Sequence, residues 1–318
     1  MTRAAQLTRA LAHAKRLALG IEGITGVDFG QAYKDGKKTR RHGIRFHLAH
    51  KLHRSAVAKS QLLPKELHGF PCDVIQAAYQ PHATTAIPQS PRTAFDPIRP
   101  GISVGNVLRT TTGTLGAIVR DAGPGRVACI LSNWHVLCGS IQCVPGETVS
   151  QPGAFDAGNS LARVVASLAR WARISTGCDA AIAAIDNGVG FEPQELTSGL
   201  APARISKPKL NQKLVKSGIA TRLTHGVVDG LGGSYKMDYS AYGDQVRWMD
   251  GIHIVAGPDR QEEDISLDGD SGSVWIEAET GNAVALHFGG EDGSGPLADY
   301  AVAHPMSRVC ELLNIQFT

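Results

Sequence analysis

Gly269-Asp270-Ser271-Gly272-Ser273-Val274-Trp275-Ile276 sets a serine between two glycines, directly ahead of an apolar run. The run reads as a buried strand. The glycine two residues before Ser271 lets the chain turn so that the backbone N–H groups of Gly269 and Ser271 converge on one point. Such a pair of donors suits an oxygen that becomes negative during acyl transfer. Taken alone, Gly-Asp-Ser-Gly is also an ordinary surface turn, because every residue in it is a turn former.

A serine hydroxyl is a poor nucleophile until an imidazole removes its proton, and a carboxylate must fix that imidazole's tautomer. Two further stretches supply these groups. Leu131-Ser132-Asn133-Trp134-His135-Val136-Leu137 puts a histidine just after a buried-looking strand, and Asp179-Ala180-Ala181-Ile182-Ala183 puts an aspartate at the mouth of a small-residue strand. Singly, His135 reads as a core histidine and Asp179 as a turn residue or helix cap. Their order and spacing change that reading.

The chain has 318 residues, 42% hydrophobic and 19% charged, which excludes a largely disordered protein. Its 36 glycines follow no Gly-X-Y period and fit a turn-rich β protein. No apolar run reaches the ~18 residues of a membrane span. The six cysteines are scattered, and the first twenty residues lack the apolar core of a secretory signal; the expectation is a reducing, cytoplasmic setting.

Residues 1–80 read as a small α+β unit. A helix over 2–19 precedes strands at Ile24–Tyr33 and Gly43–Ala49, joined by an Asp35-Gly36 hairpin turn; a polar helical stretch and a strand at Pro71–Ala78 follow. Residues 81–100 hold five prolines and form a linker or wrapping segment. Short β runs with glycine turns follow, at 114–120, 126–131, 180–185, 212–217, 226–228, 251–255, 273–276 and 283–288. A helix closes the chain at 305–314.

The order His135, Asp179, Ser271, with separations of 44 and 92 residues, resembles that of the chymotrypsin-like serine proteases. The resemblance covers about residues 101–318. Within the family the chain resembles bacterial trypsin-like and glutamyl-endopeptidase-like proteins, and through Leu115-Gly116-Ala117-Ile118-Val119 and Leu131-Ser132-Asn133-x-His135 it also resembles plant narrow-leaf proteases and their bacterial relatives. It implies a mainly β fold of two antiparallel six-stranded β-barrels, at 101–195 and 196–318, with the amino-terminal α+β unit as an extension. It also implies a Ser271 nucleophile, a His135 base, an Asp179 orienter and an oxyanion hole at Gly269 and Ser271. No cofactor or metal is called for, and the substrate is a protein or peptide. Gly-Asp-Ser-Gly-Ser departs from the Gly-Asp-Ser-Gly-Gly-Pro of digestive enzymes. No Arg-Ile-Val-Gly-Gly activation site is present, so a freed amino terminus pairing with Asp270 is not expected. Constitutive folding, or control by residues 1–100 or by a partner bound there, takes its place.

In the same family the specificity pocket is lined by residues before the serine and by a later strand. Here these are Ile265, Ser266, His287 and Gly289. Ile265 in place of an aspartate argues against Arg or Lys at P1. Ser266 and His287 match the hydroxyl and histidine that hold the substrate carboxylate in glutamyl endopeptidases. They suggest Glu or Gln, with a small apolar P1 beside Ile265 as the alternative. Gly289 and Gly290 leave a strand edge to which substrate backbone can add.

Two other readings compete: a latent, protease-like peptide-binding or scaffold protein, and a nucleic-acid-binding protein acting through its basic start. Residues 1–60 carry 13 Lys/Arg and 3 Asp/Glu, whereas the whole chain carries only +3. A solvated face, or attraction to the acidic remainder, is the plainer account. His42, His47, His50 and His53 are expected as solvated residues, and Cys129, Cys138, Cys143 and Cys178 as packed thiols rather than zinc ligands.

Overall fold

The computed structural model describes all residues except 1, 35–36, 52–56, 81–90, 110, 158–161, 258–263, 292–299 and 318. It is mainly β, in two sheets. The chain opens with α1 (Arg3–Ala18), capped by Thr2 Oγ1, which accepts the Ala5 N–H at 3.3 Å. Ala10, Ala14 and Ala18, four residues apart, form its buried face. They let α1 lie close against β1 (Ile24–Lys34) and β2 (Lys37–Leu48), which pair as a hairpin as far as Lys34 and Lys37. The turn expected at Asp35-Gly36 lies outside the described residues. β3 (Glu66–Leu67) pairs with β4 (Phe70–Gln76), and β4 runs parallel to β2. Between β2 and β3 the expected polar helix is reduced, among the described residues, to one 3-10 turn at Lys59–Gln61. Pro64 disfavours helical backbone at the residue before it.

The amino-terminal lobe contains β6 (Ser103–Asn106), β7 (Gly113–Thr114), β8 (Ala117–Asp121), β9 (Ala128–Ser132), β10 (Thr148–Gln151), β11 (Arg163–Trp171) and β12 (Ala181–Ile185). Their order is β8-β9-β12-β11-β10-β6-β7. Between β7 and β8, Leu115 donates its N–H to Ile102 O at 2.8 Å, which curls the sheet back on itself. The carboxy-terminal lobe contains β13 (Lys213–Gly218), β14 (Arg222–Asp238), β15 (Val246–Ala256), β16 (Val274–Glu277), β17 (Ala283–Glu291) and β18 (Tyr300–Pro305). Their order is β13-β16-β17-β18-β15-β14, and a β13–β14 pairing closes the ring. This barrel is filled by Leu214, Val228, Ile254, Trp275, Val284 and Ala301. The expected terminal helix is α3 (Met306–Leu313). It buries Met306, Val309 and Leu313 against Leu131 and Ile182 of one lobe and Val274 and Leu286 of the other, and β19 (Ile315–Gln316) then pairs with β8. No helix among the described residues is long and apolar enough to cross a membrane.

The carboxy-terminal sheet does not end at its barrel. β1 pairs antiparallel with β14, from Gly26↔Tyr235 to Gly30↔Gly230, so the strands of residues 1–80 extend that sheet. Period-two alternation on β2 sends Ile44 and Phe46 to the α1 side and Arg45 and His47 to the other. That other face is closed by β14 and β15. Arg45, wholly buried, is held between Asp28 and Asp229, with both carboxylates at 2.6 Å. A Cβ at Gly230 would stand 2.0 Å from Asp28 Oδ2, so only glycine admits this carboxylate. His47, expected in solvent, is instead buried beside Asp28. A charged alternation looks like a solvated face until a second element covers it.

Candidate active site

β9 and β12 are antiparallel neighbours in register Ser132↔Ala181. The end of one strand therefore lies beside the start of the other. His135 sits on α2 (Trp134–Leu137), the single turn that follows β9, and Asp179 stands just before β12. Their side chains meet: Asp179 Oδ2 accepts from His135 Nδ1 at 2.5 Å, and Oδ1 accepts from the His135 N–H at 3.1 Å. Tyr239 O–H donates to the same Oδ2 at 2.8 Å. Burial pushes the Asp179 carboxyl up, but His135 and the Tyr239 hydrogen bond outweigh it and hold the pKa below its usual value. A carboxylate on Nδ1 keeps the proton there and leaves Nε2 as the ring's acceptor.

Main-chain bonds lock the aspartate further. Asn133 Nδ2 donates to Asp179 O at 2.6 Å, and the Asp179 N–H donates to His304 Nε2 at 2.9 Å. His304 Nδ1 lies 2.6 Å from the Asp250 carbonyl. Burial pushes the His304 pKa down to about 4, so at neutral pH it is an uncharged ring donating from Nδ1 and accepting at Nε2.

Ser271 lies in the tight turn before β16, wedged against the other lobe. Ser271 O accepts from the Thr114 N–H at 2.8 Å, and Thr114 Oγ1 donates to Gly269 O at 2.9 Å. Gly272 has φ +94°, and a Cβ there would stand 2.1 Å from Ser132 Oγ, three residues before His135. Within the turn, Asp270, Gly272 and Ser273 donate their N–H groups to Leu267 O, His287 O and Asp270 O. Among the described residues, the N–H groups of Gly269 and Ser271 have no acceptor. Ser271 Oγ and His135 Nε2 are likewise buried without a hydrogen-bond partner, and no bond joins the two. Asn133 Oδ1 and Ser273 Oγ are also buried and unpaired, but the groups suited to acyl transfer are the Ser271 hydroxyl, the His135 ring nitrogen and the two backbone donors.

Asp270 holds the turn from behind. Its carboxylate accepts from Lys216 Nζ at 2.8 Å, from the Ala220 N–H at 2.9 Å, and from Thr221 and Leu267 N–H groups at 3.2 Å. Burial raises its pKa, but Lys216 and the hydrogen bonds drive it well below the carboxylate range. Lys216 also donates to Thr221 Oγ1 at 2.8 Å, and its ammonium lies 5.4 Å from the Trp275 ring. Both partners are wholly buried.

No family model and no curated protein matches the sequence. The structure does have counterparts. A glutamic-acid-specific serine protease that utilizes a histidine triad in substrate binding superimposes with a TM-score of 0.50 at 17% identity, over 70% of this chain and 100% of that one. The fold is that of the chymotrypsin-like serine proteases. Protease A of Thermobifida fusca (TM-score 0.47, 15% identity, 70% of this chain and 98% of that one) and the chymotrypsin of Cellulomonas bogoriensis (0.47, 18%, 70% and 99%) are similar more loosely.

On this chymotrypsin-like fold the four residues expected to line a specificity pocket lie on two neighbouring segments. Ser266 Oγ and His287 Nε2 are 2.8 Å apart and buried. His287 stands opposite Ala303 of β18 and near the edge of the Trp275 ring. Ile265 packs into the carboxy-terminal core beside Trp275, and Gly289 pairs with Val302. Sequence reading did not single out Lys216, Tyr239 or His304. The one local sign was Lys216 itself, a lysine inside the apolar strand Leu214-Val215-Lys216-Ser217.

Proposed function

We propose that the protein is a serine endopeptidase. The observation that carries this reading is the set of buried groups left unpaired where the histidine and serine stretches meet: Ser271 Oγ, His135 Nε2, and the N–H groups of Gly269 and Ser271. Ser271 Oγ attacks the peptide carbonyl carbon while its proton passes to His135 Nε2, and Asp179 stabilises the resulting imidazolium without taking its proton. The carbonyl oxygen, now negative, accepts from the two free N–H groups. The C–N bond breaks as His135 returns the proton to the leaving amine. Water then attacks the acyl-enzyme by the same route, giving a carboxylic acid and free Ser271.

Glu or Gln is the proposed P1 residue, held by the Ser266–His287 pair, because a hydroxyl and an imidazole can both donate to a side-chain oxygen. Cleavage of a peptide library varied at P1 tests the reading. Ser271→Ala should abolish turnover, and Ser266→Ala with His287→Ala should raise KM for Glu and Gln peptides and spare apolar ones. Equal turnover by Ser271→Ala, or a library profile confined to small apolar P1 beside Ile265, would overturn the corresponding part. The six cysteines, all free, support a reducing compartment.

A further inference from the structure

The edge of β17 leads to Ser271. The Gly272 N–H donates to His287 O and the His287 N–H to Ser273 O, so β17 starts its outward run beside the nucleophile turn. Beyond His287, β16 no longer covers this side, and Gly289 and Gly290 carry no side chains to obstruct it. An extended peptide that adds here in antiparallel sense runs from Glu291 towards Ser271.

That edge already has an occupant. β5 (Tyr79–Gln80) pairs antiparallel with β17, Tyr79 opposite Glu291 and Gln80 opposite Gly290. Its direction is the one a substrate would take, towards Ser271. Residues 77–79 are tied to the amino-terminal unit: the Ala77 N–H donates to Leu48 O at 2.9 Å, and Thr25 Oγ1 donates to Ala77 O at 2.5 Å. The Tyr79 hydroxyl bonds His47 Nδ1, and its ring lies 5.0 Å from that of Tyr235. Further on, Arg92 lies beside the turn: it is ion-paired to Asp156 at 2.7 Å, and its guanidinium is 3.0 Å from where a Gly269 Cβ would be. Ser271 and His135 are meanwhile wholly buried. A nucleophile that must meet a peptide is covered in this state.

We propose that Tyr79–Gln80 is an intramolecular occupant of the substrate edge, so that an extended polypeptide binds only by displacing it. The inference rests on the reading of Ser271 as the nucleophile of a peptide hydrolase. The amino-terminal unit is then a restraint on the site. Its hairpin is joined to β14, and it presents Tyr79 and Gln80 to β17.

The test does not require turnover. A fluorescein-labelled peptide of residues 75–80, Ile-Gln-Ala-Ala-Tyr-Gln, is titrated with the full chain and with Gln80→Pro, and anisotropy is read. Proline removes a backbone N–H and breaks the ladder, while Tyr79 keeps its anchor. Gln80→Pro should bind the peptide about tenfold more tightly, as when a competent fraction of about one tenth becomes nearly complete. Equal affinities would overturn the proposal. A second variant, Gln80→Cys with Gly290→Cys, joins two residues that are Cα partners across the ladder. Its oxidised form should bind no peptide, and reduction should allow binding. Peptide binding by the oxidised form equal to the reduced form would also overturn it. Failure of the Ser271 reading looks different: a small serine-reactive probe would label no form, whatever the anisotropy shows.

Discussion

Lys216→Met keeps most of the side chain's length and apolar stem and deletes only the charge beside Asp270. Both members of the pair are wholly buried at 2.8 Å. Removing one partner of such a pair costs about 3–5 kcal/mol, because the other charge stays buried without compensation. Asp270 would still accept from Thr221 Oγ1 and from three backbone N–H groups, which places the cost near the low end, about 3 kcal/mol. At about 2–4 °C per kcal/mol, the midpoint of thermal unfolding at pH 7 should fall about 6–12 °C. The sign of the pH dependence follows from Asp270. In the parent its pKa is depressed, so its contribution is present above the unfolded value and lost as acid protonates it. Without Lys216, burial raises that pKa, and protonation relieves the variant. The gap between parent and variant should therefore be widest at pH 7 and narrow towards pH 4. The turn that aims Gly269 and Ser271 is the structure Asp270 braces, so labelling of Ser271 by a fluorophosphonate should slow in parallel. Lys216→Arg, which keeps a charge, should recover part of both losses. A midpoint within about 2 °C of the parent at pH 7, with unchanged labelling, would refute the reasoning.

Tyr239→Phe removes one hydrogen bond to the Asp179 carboxylate and little else. A bond to a charged group is worth about 1.5–3 kcal/mol, so labelling of Ser271 should slow about tenfold or more, and a parent-like rate would deny Tyr239 its positioning role. His253 and His304 are both pushed by burial down to about 4. The unfolded chain therefore binds more protons than the folded one between about pH 4 and 6.5, and stability should fall as pH drops through that window. Denaturant titrations at pH 7 and pH 5 read the slope, and His304→Gln should flatten it; equal slopes would remove His304 from the account.

The first-lobe site was the most legible part because its pieces are local. A histidine one turn past a strand and an aspartate just before another can be read from two short stretches, and the β9–β12 pairing brings them together. The serine turn was legible for the same reason, since Gly269 and Gly272 mark the backbone it needs. What sequence reading left out comes from far along the chain. Tyr239 and His304 reach Asp179 from the carboxy-terminal lobe, across 60 and 125 residues, and nothing near either residue announces a partner. Strands β10 and β11 were passed over because polar residues interrupt Thr148–Gln151 and Arg163–Trp171. The amino-terminal unit was legible as an α+β pattern, but its junction with β14 was not. Arg45, Asp28 and Asp229 look like surface charges until the sheet closes over them. The short pairing of Tyr79–Gln80 with β17 has no sequence signal beyond the proline that follows it.

The central claim is that Ser271 is a nucleophile activated by His135 and served by two backbone donors. Fluorophosphonate labelling of the full chain, compared with Ser271→Ala and followed by mass spectrometry, tests it most directly. The account predicts one adduct on Ser271 of the parent and none on the variant. Equal labelling of both, or no labelling of a parent chain shown to be folded, would contradict it.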